Sequence, residues 1–217
     1  RDYTTVHPFG DRLLEANNLE CMRGDRRLFS NLNFSVGPGT CLQLTGPNGS
    51  GKTSLLRIIC RLLTPVQGEI RWRGANIRSL GEEFFEAVTY IGHRNGLKEE
   101  LSSLENLRVA IGMAGIKASR EDCNNALREM GLARREDLPV RLLSEGQRRR
   151  SAMARLLISK SALWLLDEIF TSLDSSAVAS VTTLIEAHLS QGGIAIIATH
   201  QQLDLSAGLV QRLDLAS

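Results

Sequence analysis

Long apolar runs are missing from this sequence. The longest, Ala162–Leu166 and Ile194–Ala198, fall far short of the roughly 20 residues that a membrane-crossing helix needs. Any membrane role must therefore come through a partner. Cysteine is scarce too: Cys21, Cys41, Cys60 and Cys123 are scattered, with no C-x-x-C and no C-x-x-C-H. That spacing excludes the usual zinc, redox and haem-attachment motifs and suits reduced thiols in a cytosolic setting. Aromatics make up only 5% of the chain. Charge of one sign is absent as well, since 26 basic residues nearly balance 24 acidic ones. A net charge of +2 gives no electrostatic footprint for nucleic acid. No signal-peptide pattern opens the sequence as given, and neither internal repeats nor low-complexity tracts occur.

What is present is apolar content of 42% in 217 residues, enough for the core of one domain. Residues 1–12 read as a loose leader, and 13–217 as a single domain. The chain is organised around Gly46-Pro47-Asn48-Gly49-Ser50-Gly51-Lys52-Thr53, which fits the phosphate-binding pattern G-x-x-x-x-G-K-[ST]. The context that the pattern needs is there: an apolar strand, Thr40–Thr45, precedes it, and a helical run with Ser54 at its head follows. Glycines let successive N–H groups turn inward on phosphate oxygens, and the helix points its positive end at the same anion. Lys52 is expected to reach the β- and γ-phosphates of ATP, and the Thr53 hydroxyl to ligate Mg²⁺.

Further strands are expected at Leu13–Met22, Leu28–Val36, Glu69–Gly74, Ala87–Gly92, Ser161–Leu166 and Ile194–Thr199, with an edge strand at Leu209–Asp214. Between Gly96 and Ile158 the periodicity is helical. One helix starts at Ser102 or Ser103, one covers Arg120–Met130, and one runs from Ser144 through Leu157. Another is expected over Ser175–Leu189. Strands alternating with helices predict an α/β fold, with a mostly parallel sheet covered on both faces and a helical insert at about 96–158. The phosphate loop, His93, Asp167 and His200 each follow a predicted strand, so all can meet at one sheet edge.

Leu163–Leu166 runs into Asp167 and Glu168. Behind a phosphate loop, Asp167 is placed to hold Mg²⁺ through its water shell and Glu168 to polarise an attacking water. Leu143-Ser144-Glu145-Gly146-Gln147 offers a hydroxyl and N–H groups at a helix start, which serves either an anion or an ordinary cap. Together, and in this order, the phosphate loop, the L-S-x-G-Q stretch, the apolar run ending Asp167-Glu168, Ser172-Leu173-Asp174 and the strand ending at His200 resemble the ATP-binding subunit of ABC transporters. The likeness runs from about Leu13 to Leu205. It implies a P-loop NTPase of ABC type, with an antiparallel β edge and a helical subdomain.

It also implies a head-to-tail homodimer with ATP sandwiched between the phosphate loop of one copy and Ser144, Gly146 and Gln147 of the other. Asp174 would lie at the seam, and His200 would contact the γ-phosphate and keep Glu168 in register. The chain departs from that pattern at His93, where the family usually has Gln; at Ile169, where Pro is common; and near Met22 and Arg23, where an adenine-stacking aromatic is expected. Arg23 could stack its guanidinium plane instead. A narrower likeness, in Gly92-His93-Arg94-Asn95-Gly96-Leu97-Lys98, Leu104-Glu105-Asn106-Leu107, Trp164–Thr171 and Gly192–Gln201, is to the ATP-binding subunits of cytochrome c maturation haem exporters. It implies a peripheral subunit on the cytoplasmic face of the inner membrane, working with hydrophobic membrane subunits that Leu97–Leu107 would touch. The histidines form no haem site, so direct haem binding is not expected. A rival, a soluble ATPase of the same superfamily acting on nucleic acid or ribosomes, would usually carry two ATPase halves or a long coiled coil; this sequence has one half and no sustained heptads. A third reading keeps the transporter and changes its cargo. The Arg148-Arg149-Arg150 run is expected on a solvated helix face or against the partner's nucleotide, and Trp72 and Trp164 in the core.

Overall fold

The computed structural model describes residues 13–206 and 208–215; the expected leader lies outside them. In chain order the elements begin with β1 (Leu14–Arg23), β2 (Arg26–Val36), β3 (Thr40–Thr45), α1 (Lys52–Ile59), β4 (Gln67–Trp72), β5 (Ala75–Asn76), α2 (Glu82–Ala87) and β6 (Val88–Ile91). They continue with α3 (Ser103–Met113), α4 (Arg120–Glu129), α5 (Glu145–Ile158), β7 (Leu163–Asp167), α6 (Ser175–Ser190), β8 (Ile194–Ala198) and β9 (Leu209–Asp214).

The strands fall into two sheets. One is five-stranded and wholly parallel, in the order β6-β7-β8-β3-β9. The other is antiparallel and four-stranded, in the order β2-β1-β4-β5. Every residue of β7 and β8 is buried, as the near-continuous apolar runs of a sheet covered on both faces require. Because side chains alternate along a strand, each of these strands feeds two cores. Leu163, Leu165, Ile194 and Ile196 pack with α1 and the antiparallel sheet, among Leu55, Leu56, Ile59 and Trp72. Trp164, Leu166, Ala195 and Ile197 pack on the other side, with Val181, Ile185 and Leu189 of α6 and Leu127 of α4. Both tryptophans are core residues, as expected.

The helix starts follow from their caps. Ser102, Ser119 and Ser144 each accept from the N–H three residues on, and Glu105, Asp122 and Gln147 reciprocate from that position. These are capping boxes, worth about 1 kcal/mol each. Two elements were not anticipated, the two-residue strand β5 and helix α2. Glu82–Ala87 is a short helix, and it takes over Ala87, which the apolar pattern assigned to the following strand. Of its side chains only Phe84 is buried, packing edge-on to Trp72, so it has no amphipathic stripe to read.

Candidate nucleotide-binding site

The carboxyl ends of β3, β7 and β8 open onto one edge of the parallel sheet, and the site is built there. The chain leaves β3 at Thr45 and re-enters regular structure at Lys52. Gly51, the residue before α1, has φ 109°, a left-handed conformation that a side chain would strain. A Cβ there would also stand 3.0 Å from the Phe29 ring. Lys52 is buried, and its Nζ donates to the carbonyls of Gly46 (2.7 Å) and Pro47 (3.1 Å), so the loop encircles its own cation. The buried Ser50 hydroxyl has no partner. A buried ammonium, an unpaired hydroxyl and glycines that keep side chains out of the loop together fit a bound polyphosphate.

Thr53 Oγ1 donates to Asp167 Oδ2 at 2.9 Å, and Asp167 is 1% exposed. This hydroxyl and carboxylate, one from α1 and one from β7, suit a hard divalent cation. Glu168 follows in a left-handed conformation, φ 53°, with its N–H held by the Ala198 carbonyl at 2.8 Å. Non-glycine residues rarely adopt that conformation, and it tends to mark functional positions. Glu168 Oε1 is 3.6 Å from His200 Nε2, which is also 3.0 Å from Asn48 Oδ1 of the loop. His200 thus links the acid to the phosphate loop. The cleft between these groups, about 420 Å³, is also lined by Gly49, Ser54 and the exposed His93, and it extends to Arg23, Arg26 and Leu28.

Ser144, Gly146, Gln147 and Asp174 do not line this cleft. Ser144 caps α5 and Asp174 caps α6, accepting from Ala177 N at 2.8 Å. The two turns touch: a Cβ on Gly146 would lie 2.5 Å from the Ser172 carbonyl oxygen, so only glycine fits. The basic run after this turn is not the solvated face that its composition suggests. Arg148 is held by the carbonyls of Val140, Leu143 and Arg141, and Arg150 by that of Met130. Arg149 is 3% exposed and donates to the Gly92 carbonyl at 3.1 Å, beside the His93 turn. Burial pushes its pKa down, while the negative charges of Glu145, Asp167 and Glu168 oppose that shift.

The family model described as "ABC transporter" matches residues 29–171. The chain belongs to the ABC transporter family. Among curated relatives, the cytochrome c biogenesis ATP-binding export protein CcmA of Nitrosospira multiformis is 50% identical over 202 residues, covering 93% of this chain and 98% of that protein. The protein of the same name from Pseudomonas aeruginosa is 43% identical over 201 residues, covering 93% of this chain and 99% of its own length. Among solved structures, a dimeric bacterial ABC transporter cassette superposes with a TM-score of 0.81 at 23% identity, covering 94% of this chain and 95% of that one. A putative ABC transporter ATP-binding protein from Pyrococcus furiosus gives 0.79 at 24%, covering 92% and 96%. At those identities the superpositions establish the fold, which is that of an ABC-type ATPase.

Within this ABC fold the phosphate loop, Asp167, Glu168, His93 and His200 come together in one chain, whereas Ser144, Gly146, Gln147 and Asp174 lie on other turns. Two contributors escaped sequence reading. Arg26 lines the cleft opposite Arg23, a position that can be counted from the two-residue turn Gly24-Asp25. The burial of Arg149 has no sequence signal, since a triple-arginine run reads as solvated.

Proposed function

We propose that this chain is the ATP-hydrolysing subunit of an ABC exporter complex that serves haem delivery in c-type cytochrome maturation. It would act as a homodimer on the cytoplasmic face of the inner membrane, with hydrophobic membrane subunits as partners. Near-full-length identity of about one half to relatives named for that process carries the reading. The absence, among the described residues, of any helix long and apolar enough to cross a membrane agrees with a peripheral place. Contact with the cargo is assigned to the membrane subunits, and no role for nucleic acid is proposed.

In this reading Lys52 exchanges its two loop carbonyls for the β- and γ-phosphates of ATP, with the N–H groups of Asn48, Gly49 and Gly51–Thr53 and the Ser50 hydroxyl grouped around them. Thr53 and Asp167 hold Mg²⁺, which when bound neutralises charge on the phosphate oxygens. Glu168 orients the attacking water and takes its proton on a carboxylate oxygen. His200 leaves Asn48 for the γ-phosphate and fixes the Glu168 carboxylate from the other side. His93, which lines the same cleft, would serve the cation's water shell. Ser144, Gly146 and Gln147 present the start of α5 to the triphosphate held by the other copy, with Asp174 beside the seam, and helices α3–α5 move as a subdomain against the membrane subunits through Leu97–Leu107.

The test is a Glu168→Gln chain expressed with the membrane proteins of cytochrome maturation. The expected result is co-purification of the whole complex, retained ATP binding, stalled turnover and loss of mature c-type cytochromes. Normal cytochrome levels with turnover abolished would point to another cargo, and unchanged turnover would remove Glu168 from its role.

A further inference from the structure

Strand β3 leads into the phosphate loop, and in the middle of it stands a glutamine. Gln43 is 3% exposed, among the buried apolar residues Cys41, Leu42 and Leu44 of the same strand. Its backbone pairs with Ile197 of β8 and Arg212 of β9. Alternation along the strand puts its side chain on the face shared with Cys41, over the core that holds Ile197 and Leu203. There the amide makes one hydrogen bond: Nε2 donates to the Gln201 carbonyl at 2.8 Å. Its Oε1 is buried and, among the described residues, has no partner. A half-satisfied amide in an apolar core is less favourable than an apolar side chain of the same size. The fold alone therefore does not explain this glutamine.

What it grips does. The Gln201 N–H donates to the buried Thr199 hydroxyl at 3.1 Å, so both backbone groups of Gln201 are held. Between Thr199 and Gln201 stands His200, exposed, with Nε2 3.0 Å from Asn48 Oδ1 and 3.6 Å from Glu168 Oε1. We propose that Gln43 is a positioning residue for His200. From the middle of β3 it fixes the turn that carries the imidazole, in register with the phosphate loop at the end of the same strand. One strand thus sets both sides of the terminal phosphate: the loop directly, and the histidine through the Gln43 amide. The inference rests on the reading of His200 given above. It assigns Gln43 no contact with nucleotide. Its effect is geometric, and a misplacement of about 1 Å at a reacting group can cost on the order of 10²-fold in rate.

The experiment compares the parent, Gln43→Met, Thr199→Val, His200→Ala and the Gln43→Met/His200→Ala double variant. ATP turnover is measured on the chain co-purified with its membrane proteins, and ADP affinity and the urea midpoint on the chain itself. Met fills the volume of Gln and lacks the donor. Gln43→Met should turn over about tenfold more slowly, with KM for ATP within about threefold and ADP, which has no γ-phosphate, bound within about twofold of the parent. Its urea midpoint should equal or exceed the parent's. Thr199→Val, which removes the other hold on Gln201, should slow turnover in the same way. The double variant should match His200→Ala within about twofold, because a residue that acts through the histidine has nothing left to act on. Parent-like turnover in Gln43→Met or Thr199→Val overturns the proposal. So does a Gln43→Met chain that unfolds or loses ADP, since the amide would then be structural, and so do losses that multiply in the double variant. A parent without turnover, or one indifferent to His200→Ala, overturns the reading of His200 and this inference together; a slow His200→Ala beside a normal Gln43→Met overturns this inference alone.

Discussion

Glu168 is a single acid, yet three parts of the chain fix it. The Ala198 carbonyl of β8 holds its N–H, the left-handed backbone turns its side chain out of the sheet, and His200 sits 3.6 Å from its oxygen. Replacing it with Gln keeps the shape and removes the proton acceptor. Turnover should fall about 10²- to 10⁴-fold while the ATP Kd changes little, which steady-state kinetics and calorimetry will separate. Lys52 supplies the opposite contrast. Its charge is what a triphosphate meets, so Lys52→Ala should weaken ATP binding at least tenfold, on the usual scale of about 1.5–3 kcal/mol for hydrogen bonds to a charged group. Equal affinity would undo the phosphate assignment. His93→Gln should stay active if, as proposed, residue 93 serves only as a polar contact for the cation's water; a dead variant would mean that the imidazole does something an amide cannot.

At the level of elements, the start of α5 is fitted to its neighbour by space. Gly146→Ala drives a methyl group onto the Ser172 carbonyl and should cost about 1–3 kcal/mol in urea unfolding, with or without nucleotide. Arg149 ties α5 to the Gly92 carbonyl. Its Nε is buried without a partner, so part of its charge is desolvated for no return. Arg149→Met should therefore be less destabilising than Arg149→Ala, since Met fills the volume of the stem, yet both should slow turnover by freeing the His93 turn.

Helix α6 and strand β7 meet through His188, stacked on Trp164 at 3.8 Å and 5°. Burial lowers the His188 pKa in the fold. The unfolded chain thus takes up this proton first as pH falls below about 6.5. The associated stability is complete above that value and is lost as pH drops toward the depressed folded pKa. Parallel urea titrations of the parent and His188→Phe should show the parent losing more stability on acidification.

For the whole molecule, the alternation of strands and helices and the motif order were readable because both are local: a buried parallel strand is a short apolar run, and a phosphate loop is a fixed spacing. Sheet membership was not local. Nothing in Leu14–Arg23 says that it pairs with Gln67–Trp72 in a separate antiparallel sheet. Nor could Glu82–Ala87 announce a helix with one buried residue, or Arg148–Arg150 the carbonyls that surround them. That the phosphate loop, His93, Asp167, Glu168 and His200 meet at one sheet edge was legible, because each ends or follows a strand. Ser144–Gln147 was legible only as a motif, and it does not line its own chain's cleft. That separation predicts assembly: Glu168→Gln with ATP should run as a dimer in light scattering, and Ser144→Arg in the same background should return it to monomer.

The ring of carbonyls around Lys52 has a corollary for stability. Without nucleotide the ammonium is already satisfied by Gly46 and Pro47, so ligand loss leaves no raw charge inside the protein. Emptying the pocket should therefore leave the fold standing, with the loop's own carbonyls in place of the anion.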